Sequence, residues 1–336
     1  MKTRRWRWVR TCSSSLLGGG GFQPFPGVKV KGVPSPLQLD PISRYTHRML
    51  RIEHISQPAV LVHDIDEAMD WLHGVFGIFP SERVDIARSG VNNAVYAFGN
   101  RTYLELIEPY DPESSAYRLL KQNGPGWHMV NVDIADDDFE VLDAEIRATG
   151  ARVVQRNRTE HVAAAWHLHP RDTHGVLLNL ANPVDHDEHG MWAGWAWREY
   201  VLTNTRVVDR ILGLSLATDD LETVVNTWSS FGLRFSAPED ALNDRVVTAH
   251  CEAGTFVQIR SPRCDGSSQS DDSPAAQSLS HWGQGLCHLC WGVRDLARAR
   301  SALEAAGMII ERSGESEFWT SIDNAPIAVP MEFRQI

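Results

Sequence analysis

The chain has 336 residues, of which 43% are hydrophobic and 22% are charged, a composition typical of a soluble globular protein with about two domains. The net charge of -11 and the sequence pI of about 5.7 argue against a nucleic-acid partner, because phosphate binding requires clustered Lys and Arg. No stretch of the sequence approaches the roughly 20 consecutive apolar residues of a membrane span. We therefore expect neither nucleic acid nor a membrane as a partner.

The five cysteines are an odd number, and only Cys287 and Cys290 form a CxxC motif. With no second motif to complete a zinc site, the sequence predicts neither a disulfide framework nor a zinc knuckle. This usage is typical of a reducing compartment, so we predict a cytoplasmic protein.

The first 48 residues are rich in Gly, Pro, Ser and Arg and show no hydrophobic periodicity. Such a segment buries too little apolar surface to offset the entropy of ordering it. We predict a disordered N-terminal extension over residues 1–48 and a fold that begins near Met49.

The first folded segment reads as a strand, a helix and a hairpin. An apolar strand over residues 57–62 precedes a helix that Asp64 caps and Gly77 ends, as expected of an acidic N-cap and a C-terminal glycine. Strands over residues 93–98 and 102–107 then form the hairpin. We interpret this segment as a βαβββ unit.

The same order recurs, which indicates a repeat architecture. A second unit starts at Trp127. In a third unit, Asp219 takes the place of Asp64 in the sequence LGLSLATDDLETVVNTWSSFGL, and a fourth unit, GQGLCHLCWGVRDLARARSALEAAG, parallels the second. The prediction is an α+β fold of four βαβββ units in two pairs, with a first domain over residues 49–185 and a second over 206–336. A connector with three tryptophans, residues 186–205, joins them.

Glu105 is the most informative single residue. Strand alternation places Leu104 and Leu106 on one face and Glu105 on the other, which is free to line a cavity. After a flexible Gly-Pro-Gly turn, the next strand opens with His128. A carboxylate and an imidazole are a common pair for proton transfer or metal binding, so Glu105 and His128 are the catalytic candidates.

Several stretches resemble the vicinal oxygen chelate superfamily, which includes glyoxalase I, methylmalonyl-CoA epimerase, bleomycin-resistance proteins and extradiol dioxygenases. They are QPAVLVHDIDEAMDWLHGVFGI, LELIEPYDPESSAYRLL, GPGWHMV and AWHLHPRDTHGVLLNL. The resemblance covers nearly everything from residue 49 to the end. It implies that each pair of units forms a curved, half-open barrel around a cavity, often with a divalent metal ion.

Carrying the superfamily's ligand positions over to this chain gives two incomplete sets. The first set is Gln57, Glu105, Met129 and Asn179, with His128 one residue from the usual second histidine. The second set is Leu212, Gln258, His288 and Glu332. Asn179 and Met129 replace a carboxylate and a histidine in the first set, and Leu212 removes a histidine from the second. A divalent metal of unknown identity therefore remains a candidate cofactor, with Gln57, Glu105 and His128, or His288 and Glu332, as candidate ligands.

Each candidate residue could also have a purely structural role, and the balance between the two roles differs from one position to the next. A functional role is favoured for Glu105, because an inward carboxylate must be paired or bound to offset its burial. For His128 the two interpretations are balanced, since a shift of one residue reverses a strand side chain unless a bulge restores it. A structural His288 with Glu332 is favoured over a metal site. The substrate-binding candidates are Gln57, Met129, His169, His174 and Asn179.

The resemblance implies an enzyme that acts on a small carbonyl or phenolic substrate, and the sequence leaves the oligomeric state open between monomer and homodimer. The leading interpretation is proton transfer by Glu105, metal-assisted or metal-free, as in an isomerase, an epimerase or a lyase. A second interpretation is an extradiol ring-cleaving dioxygenase with Fe(II). A third is a non-catalytic binder of a hydrophobic small molecule.

Removal of residues 1–48 tests the predicted extension. A chain that starts at Met49 is expected to keep the thermal midpoint of the full chain, because the removed segment contributes little patterned apolar surface. Differential scanning calorimetry of both proteins measures this. A loss of several degrees would show that the extension packs on the fold.

Overall fold

Two eight-stranded sheets form most of the protein. The computed structural model describes residues 50–135, 138–157, 162–183, 193–194, 196–263, 273–321 and 325–336. The predicted N-terminal extension lies outside the described residues. Residues 49–336 form one compact body.

The first sheet has the strand order β2-β3-β4-β1-β5-β8-β7-β6. Its strands are β1 (Ile52–Leu61), β2 (Glu82–Ile86), β3 (Val91–Ala97), β4 (Tyr103–Pro109), β5 (Gly126–Ile134), β6 (Val153–Asn157), β7 (Val162–Leu168) and β8 (Leu177–Pro183). Its helices are α1 (Ile65–Phe76), α2 (Ser115–Asn123) and α3 (Phe139–Ala148), with 3-10 turns at Ala87–Ser89 and Gly99–Arg101. Strands β1 and β5 are antiparallel at its centre, and each pairs in parallel with the last strand of its own unit.

The second sheet repeats this order as β10-β11-β12-β9-β13-β16-β15-β14. Helix α4 (Trp197–Asn204) precedes it, and its strands are β9 (Arg210–Ala217), β10 (Glu239–Ala241), β11 (Asp244–His250), β12 (Phe256–Pro262), β13 (Gly285–Val293), β14 (Ile310–Ser313), β15 (Glu317–Thr320) and β16 (Met331–Gln335). Its helices are α5 (Leu221–Ser229), α6 (Pro274–His281) and α7 (Leu296–Ala305). The predicted α+β fold of four βαβββ units in two pairs is confirmed.

Strand β2 was not identified from the sequence. Its side chains are mostly exposed, and it lies at the edge of the first sheet. An edge strand that buries neither face lacks the alternation of apolar and polar residues by which strands are recognised.

The predicted helix ends of the first unit are confirmed. The Asp64 side chain accepts hydrogen bonds from the backbone N–H groups of Asp66 and Glu67, and Gly77 adopts a left-handed conformation (φ 68°). In the third unit the prediction was wrong by one residue. Asp220, rather than Asp219, caps α5, because the helix begins at Leu221 and the Asp220 carboxylate accepts from the Thr223 N–H.

The outer faces of the two sheets pack together in two hydrophobic cores. Each core is built mainly from one unit of the first sheet and one unit of the second. Units one and four, with helices α1 and α7, form a core that includes Leu106 and Trp291. Units two and three, with helices α3 and α5, form a core that includes Val132 and Trp228. Because alternate strand residues point to opposite faces, this arrangement leaves the inner face of each sheet available to line a cavity.

Helix α4, which belongs to the connector, covers part of the first sheet. Trp197 of α4 packs edge-on against Tyr103, with ring centroids 6.0 Å apart. Asn204 binds the Phe79 backbone through its amide oxygen and nitrogen and also donates to the Ala97 carbonyl. Helix α4 therefore closes one end of the inner face. The other two connector tryptophans, at positions 192 and 195, lie outside the described residues.

No helix in the described part of the chain is long and apolar enough to span a membrane. The two sheets fall within the predicted ranges 49–185 and 206–336, and the domain boundaries themselves stay a prediction.

Gly175 allows a close contact between the two halves, and its replacement tests the shared packing. A Cβ atom at Gly175 (φ 91°) would lie 1.9 Å from the Gln284 carbonyl oxygen, whereas one at Gly150 (φ 80°) would meet no atom within 4 Å. Both alanine variants carry the strain of a left-handed backbone, about 1–2 kcal/mol. We expect Gly175→Ala to lose about 1–3 kcal/mol more than Gly150→Ala, as overpacked sites do. Urea unfolding measures the difference, and equal losses would contradict the contact.

Candidate active site

The inner face of the first sheet has two apolar ends and a polar middle. Helix α2 covers one end, which includes Ala59, Ile107 and Met129. Helix α4 covers the other, which includes Val95 and Tyr103. Between them lie the side chains of Gln57, Asn93, Glu105, Asn131, His167 and Asn179. A polar zone enclosed between apolar ends is the usual form of a small-molecule site.

Glu105 lies in this zone, opposite in direction to Leu104 and Leu106, which pack into a core. The carboxyl is buried, and Asn93 Nδ2 donates a hydrogen bond to its Oε1. Burial raises the pKa of Glu105 from 4.5 to about 7, against the opposing effect of the Asn93 hydrogen bond. Burial does this because it disfavours the charged form. A carboxyl that titrates near neutral pH can both take up and release a proton.

Three amides on adjacent strands form a hydrogen-bonded row, which we call the amide row: Gln57 on β1, Asn131 on β5 and Asn179 on β8. Asn179 Nδ2 donates to Asn131 Oδ1 at 2.7 Å, and Asn131 Nδ2 donates to Gln57 Oε1 at 2.8 Å. Strand register explains the row, because Asn131 lies directly opposite both Gln57 and Asn179. At its end, the buried Asn179 Oδ1 has no partner within the described ranges.

A β-bulge decides the position of His128. Ala59 pairs with Met129 but Val60 pairs with Trp127, so His128 is the extra residue of the bulge. The pKa of His128 is lowered to about 4, mainly by burial and to a smaller extent by the neighbouring His167. Burial likewise lowers the pKa of His167 to about 4. Both Nδ1 atoms are buried, and no residue in the described part of the chain bonds them. Two neutral imidazoles with unused hydrogen-bonding atoms therefore lie close together at this face.

The remaining predicted substrate contacts differ in position. Met129 lies opposite Ala59 in the apolar end of the inner face. His169 and His174 belong to the turn after β7, where His169 Nδ1 accepts from the Arg171 N–H and His174 Nε2 is hydrogen-bonded to Thr227 Oγ1 of the third unit. Since these contacts stabilise the turn and the packing of the halves, we leave both histidines out of the proposed site.

Sequence reasoning missed Asn93 and Asn131. Alternation could have identified Asn131, which stands between Val130 and Val132 and therefore faces away from the core. It also missed His54, whose buried Nδ1 lies 3.6 Å from Asp133 Oδ2.

The first set of predicted ligand positions does not fit a divalent metal ion. Gln57 Oε1 already accepts a hydrogen bond from Asn131, and Asn179 offers only a neutral amide oxygen. The Met129 thioether suits soft ions only. Glu105 is then the single carboxylate. Among the residues that the structure describes, no three or more His, Cys, Asp and Glu side chains are grouped to hold a metal.

The inner face of the second sheet is filled by charged and aromatic side chains. Arg260 on β12 reaches across to β15, where its guanidinium lies 5.0 Å from the Trp319 ring centroid. His288 packs edge-on against the same ring at 4.5 Å. Glu332 is fully buried and accepts from Arg334 Nε at 2.5 Å. Burial raises the pKa of Glu332 against the effect of the arginines and lowers the pKa of His288 well below its usual range.

The charge of Arg260 acts on both His288 and Glu332, and Arg334 is bonded to Glu332. These guanidinium groups repel a metal cation, so the second set does not fit a metal either. The prediction for Leu212 also needs a correction. Leu212 is the extra residue of a β-bulge, which shifts the register of β9 by one residue. Gly213, which lies opposite Cys290, therefore corresponds to Gln57, which lies opposite Asn131 in the first sheet. Neither Leu212 nor Gly213 supplies the second histidine of an Fe(II) site.

A solvent-open pocket of about 780 Å³ lies elsewhere, at the edge of the second sheet, with Asp219, Asp240 and Arg263 in its lining. Its exposed acidic lining lacks the buried titrating group of the first sheet, so we do not place the chemistry there.

Paired βαβββ units that curve around an inner face define the vicinal oxygen chelate fold. Residues 56–168 match the family model of the Glyoxalase/Bleomycin resistance protein/Dioxygenase superfamily. Human mitochondrial methylmalonyl-CoA epimerase is 25% identical over 158 residues, which cover 47% of this chain and 86% of the relative. The predicted resemblance to the superfamily is thereby confirmed.

Two solved structures share the fold over most of the chain. A mutant of 4-hydroxymandelate synthase from Streptomyces coelicolor superposes with a TM-score of 0.64 at 14% identity, over 85% of this chain and 93% of that one. A mutant of homoprotocatechuate 2,3-dioxygenase from Brevibacterium fuscum gives a TM-score of 0.55 at 13% identity, over 85% and 72%. At these identities the likeness concerns the fold alone.

The raised pKa of Glu105 predicts a pH dependence of stability. The unfolded carboxyl ionises near pH 4.5, whereas the folded one stays protonated up to about pH 7, so the wild type loses stability as the pH rises through this window. Glu105→Gln lacks this loss and can still accept from Asn93. We expect the free energy of unfolding of the variant, relative to wild type, to grow by about 3 kcal/mol across the window.

Urea unfolding at several pH values measures this difference. Glu222→Gln, at an exposed position of α5, is the matched control for a carboxyl-to-amide change. A Glu105→Gln difference that does not vary with pH would show that Glu105 is not a buried, neutral acid at low pH.

Proposed function

We propose that the protein is an enzyme that transfers a proton on a small carbonyl or phenolic compound at the inner face of the first sheet. The observation that carries this proposal is Glu105, a buried carboxyl whose pKa is raised to about 7. A base is most effective when its pKa lies near the operating pH. Around it are buried polar atoms of His128, His167 and Asn179 that have no hydrogen-bond partner among the described residues.

In the proposed reaction, ionised Glu105 removes a proton from the carbon next to the carbonyl, or from a phenol. Asn93 holds Oε1, and no described residue bonds Oε2, which is therefore available to the substrate. Return of the proton to the opposite side of the same carbon is an epimerisation. Return to another atom is an isomerisation, and expulsion of a group from the carbanion is a lyase reaction.

The substrate oxygen gains negative charge when the proton leaves. Hydrogen-bond donors aimed at such an oxygen lower the barrier, and one donor contributes about 100- to 1000-fold in rate. His128 and His167 are uncharged at neutral pH, because their pKa values are lowered to about 4. Each neutral ring carries one N–H, so the imidazoles act as donors rather than as bases.

The similarity to methylmalonyl-CoA epimerases supports carbonyl chemistry of the epimerase type and makes acyl-CoA thioesters the first class to test. The Fe(II) dioxygenase alternative gains no support from the side chains. Such a site requires two histidines and a carboxylate around one ion, and among the described residues Glu105, His128 and His167 are not grouped to hold a metal. The binder alternative is favoured by the apolar end of the inner face around Ala59, Ile107 and Met129, and the same experiment decides it.

Deuterium exchange tests the proposal. The protein is incubated in D2O with methylmalonyl-CoA and then with other acyl-CoA thioesters and 2-oxo acids, and deuterium uptake is followed by mass spectrometry. We expect catalysed uptake with at least one compound, and Glu105→Gln should slow it about 100-fold or more, because the base is lost while size and hydrogen bonding are kept.

Glu332→Gln, in the second sheet, is the matched control and should exchange at a rate close to that of wild type. If Glu332→Gln abolishes exchange and Glu105→Gln does not, the active cavity belongs to the second sheet. Binding of a compound without any exchange would favour the non-catalytic binder.

A further inference from the structure

We propose that the amide row takes the place of a divalent metal ion at this site, so that the oxyanion is stabilised by hydrogen bonds alone and Asn131 is the residue that positions the donor. The inference rests on the proposed proton transfer. Its basis is the direction of the hydrogen bonds in the row, together with the failure of the candidate ligand sets to fit a metal ion.

The row has a defined polarity. Asn179 donates to Asn131, which in turn donates to Gln57. The Gln57 amide oxygen is thus occupied as an acceptor, and among the described residues none accepts a hydrogen bond from its Nε2. The row therefore ends in a free N–H donor at Gln57, on the strand next to the one that carries Glu105.

Asn131 is the residue that sets this polarity. It accepts from one neighbour and donates to the other, which an amide can do and an ionised carboxylate cannot. An aspartate at this position would accept from both sides and would turn Gln57 around, so that its N–H bonds point inward. The donor would then be lost, and a negative charge would lie beside the row.

This arrangement also limits the substrate class. The inner face offers neutral donors, namely an amide and two uncharged imidazoles, and no described Lys or Arg lies on the polar middle. Such a site stabilises charge that develops during the reaction more than charge already present. We therefore infer a substrate whose reacting oxygen is uncharged in the ground state, such as a thioester or ketone carbonyl, rather than a catecholate.

Metal titration provides a test that does not depend on activity. The chelator-treated full chain and its Glu105→Gln variant are titrated with MnCl2, CoCl2 and ZnCl2 in a calorimeter. We expect that neither protein binds a metal ion stoichiometrically at this site, so the two titrations should look alike. Binding of about one ion per chain that is lost in Glu105→Gln would overturn the inference.

The second test uses Asn131→Asp in the exchange assay, with Asn226→Asp at an exposed position of α5 as the control. We expect the kcat of Asn131→Asp to fall about 100- to 1000-fold while KM changes little, and wild-type activity should survive EDTA. An unchanged kcat in Asn131→Asp, or loss of activity in EDTA, would overturn the inference. Should wild type exchange no compound, the proposed function fails, and the calorimetry still decides whether a metal binds.

Discussion

The antiparallel pairing of β1 with β5 is the constraint on which the first sheet depends. It joins the first unit to the second and contains three register shifts, which bend and twist a strand pair because one extra residue must be accommodated. One of these bulges places His128 near His167. The same pairing puts Gln57 opposite Asn131, and β8 adds Asn179. The candidate site is thus a product of strand register.

The two faces of each sheet have different tasks. The backs carry the apolar residues and are buried together in cores shared between units of different sheets. Since helices α1, α3, α5 and α7 pack into these cores, the halves cannot be rearranged without exposing a large apolar surface. The inner faces do not take part in this packing between the sheets, so polar residues can vary there without loss of the fold.

This freedom explains how one architecture supports two different interiors. Gln258 lies next to Ser215 in the second sheet as Glu105 lies next to Ala59 in the first. Two residues further along β12, Arg260 crosses the inner face and stacks on Trp319, whereas the corresponding Ile107 packs in an apolar end. A buried guanidinium with an aromatic partner fills the second interior, and the first keeps a titrating acid.

The sequence by itself determined the four units, the helix caps such as Asp64, and the inward direction of Glu105, because these follow from local periodicity and from the preferences of single residues. It could not determine the partner of Glu105, since Asn93 meets it only through the β3–β4 register. Nor could it settle His128, whose direction depends on one bulge, or Leu212, which another bulge displaces. It placed His169 and His174 among the substrate-binding candidates, and the structure adds that His169 bonds the Arg171 N–H and His174 bonds Thr227. Cross-strand register and bulges are set by the whole sheet, and only the tertiary structure decided them.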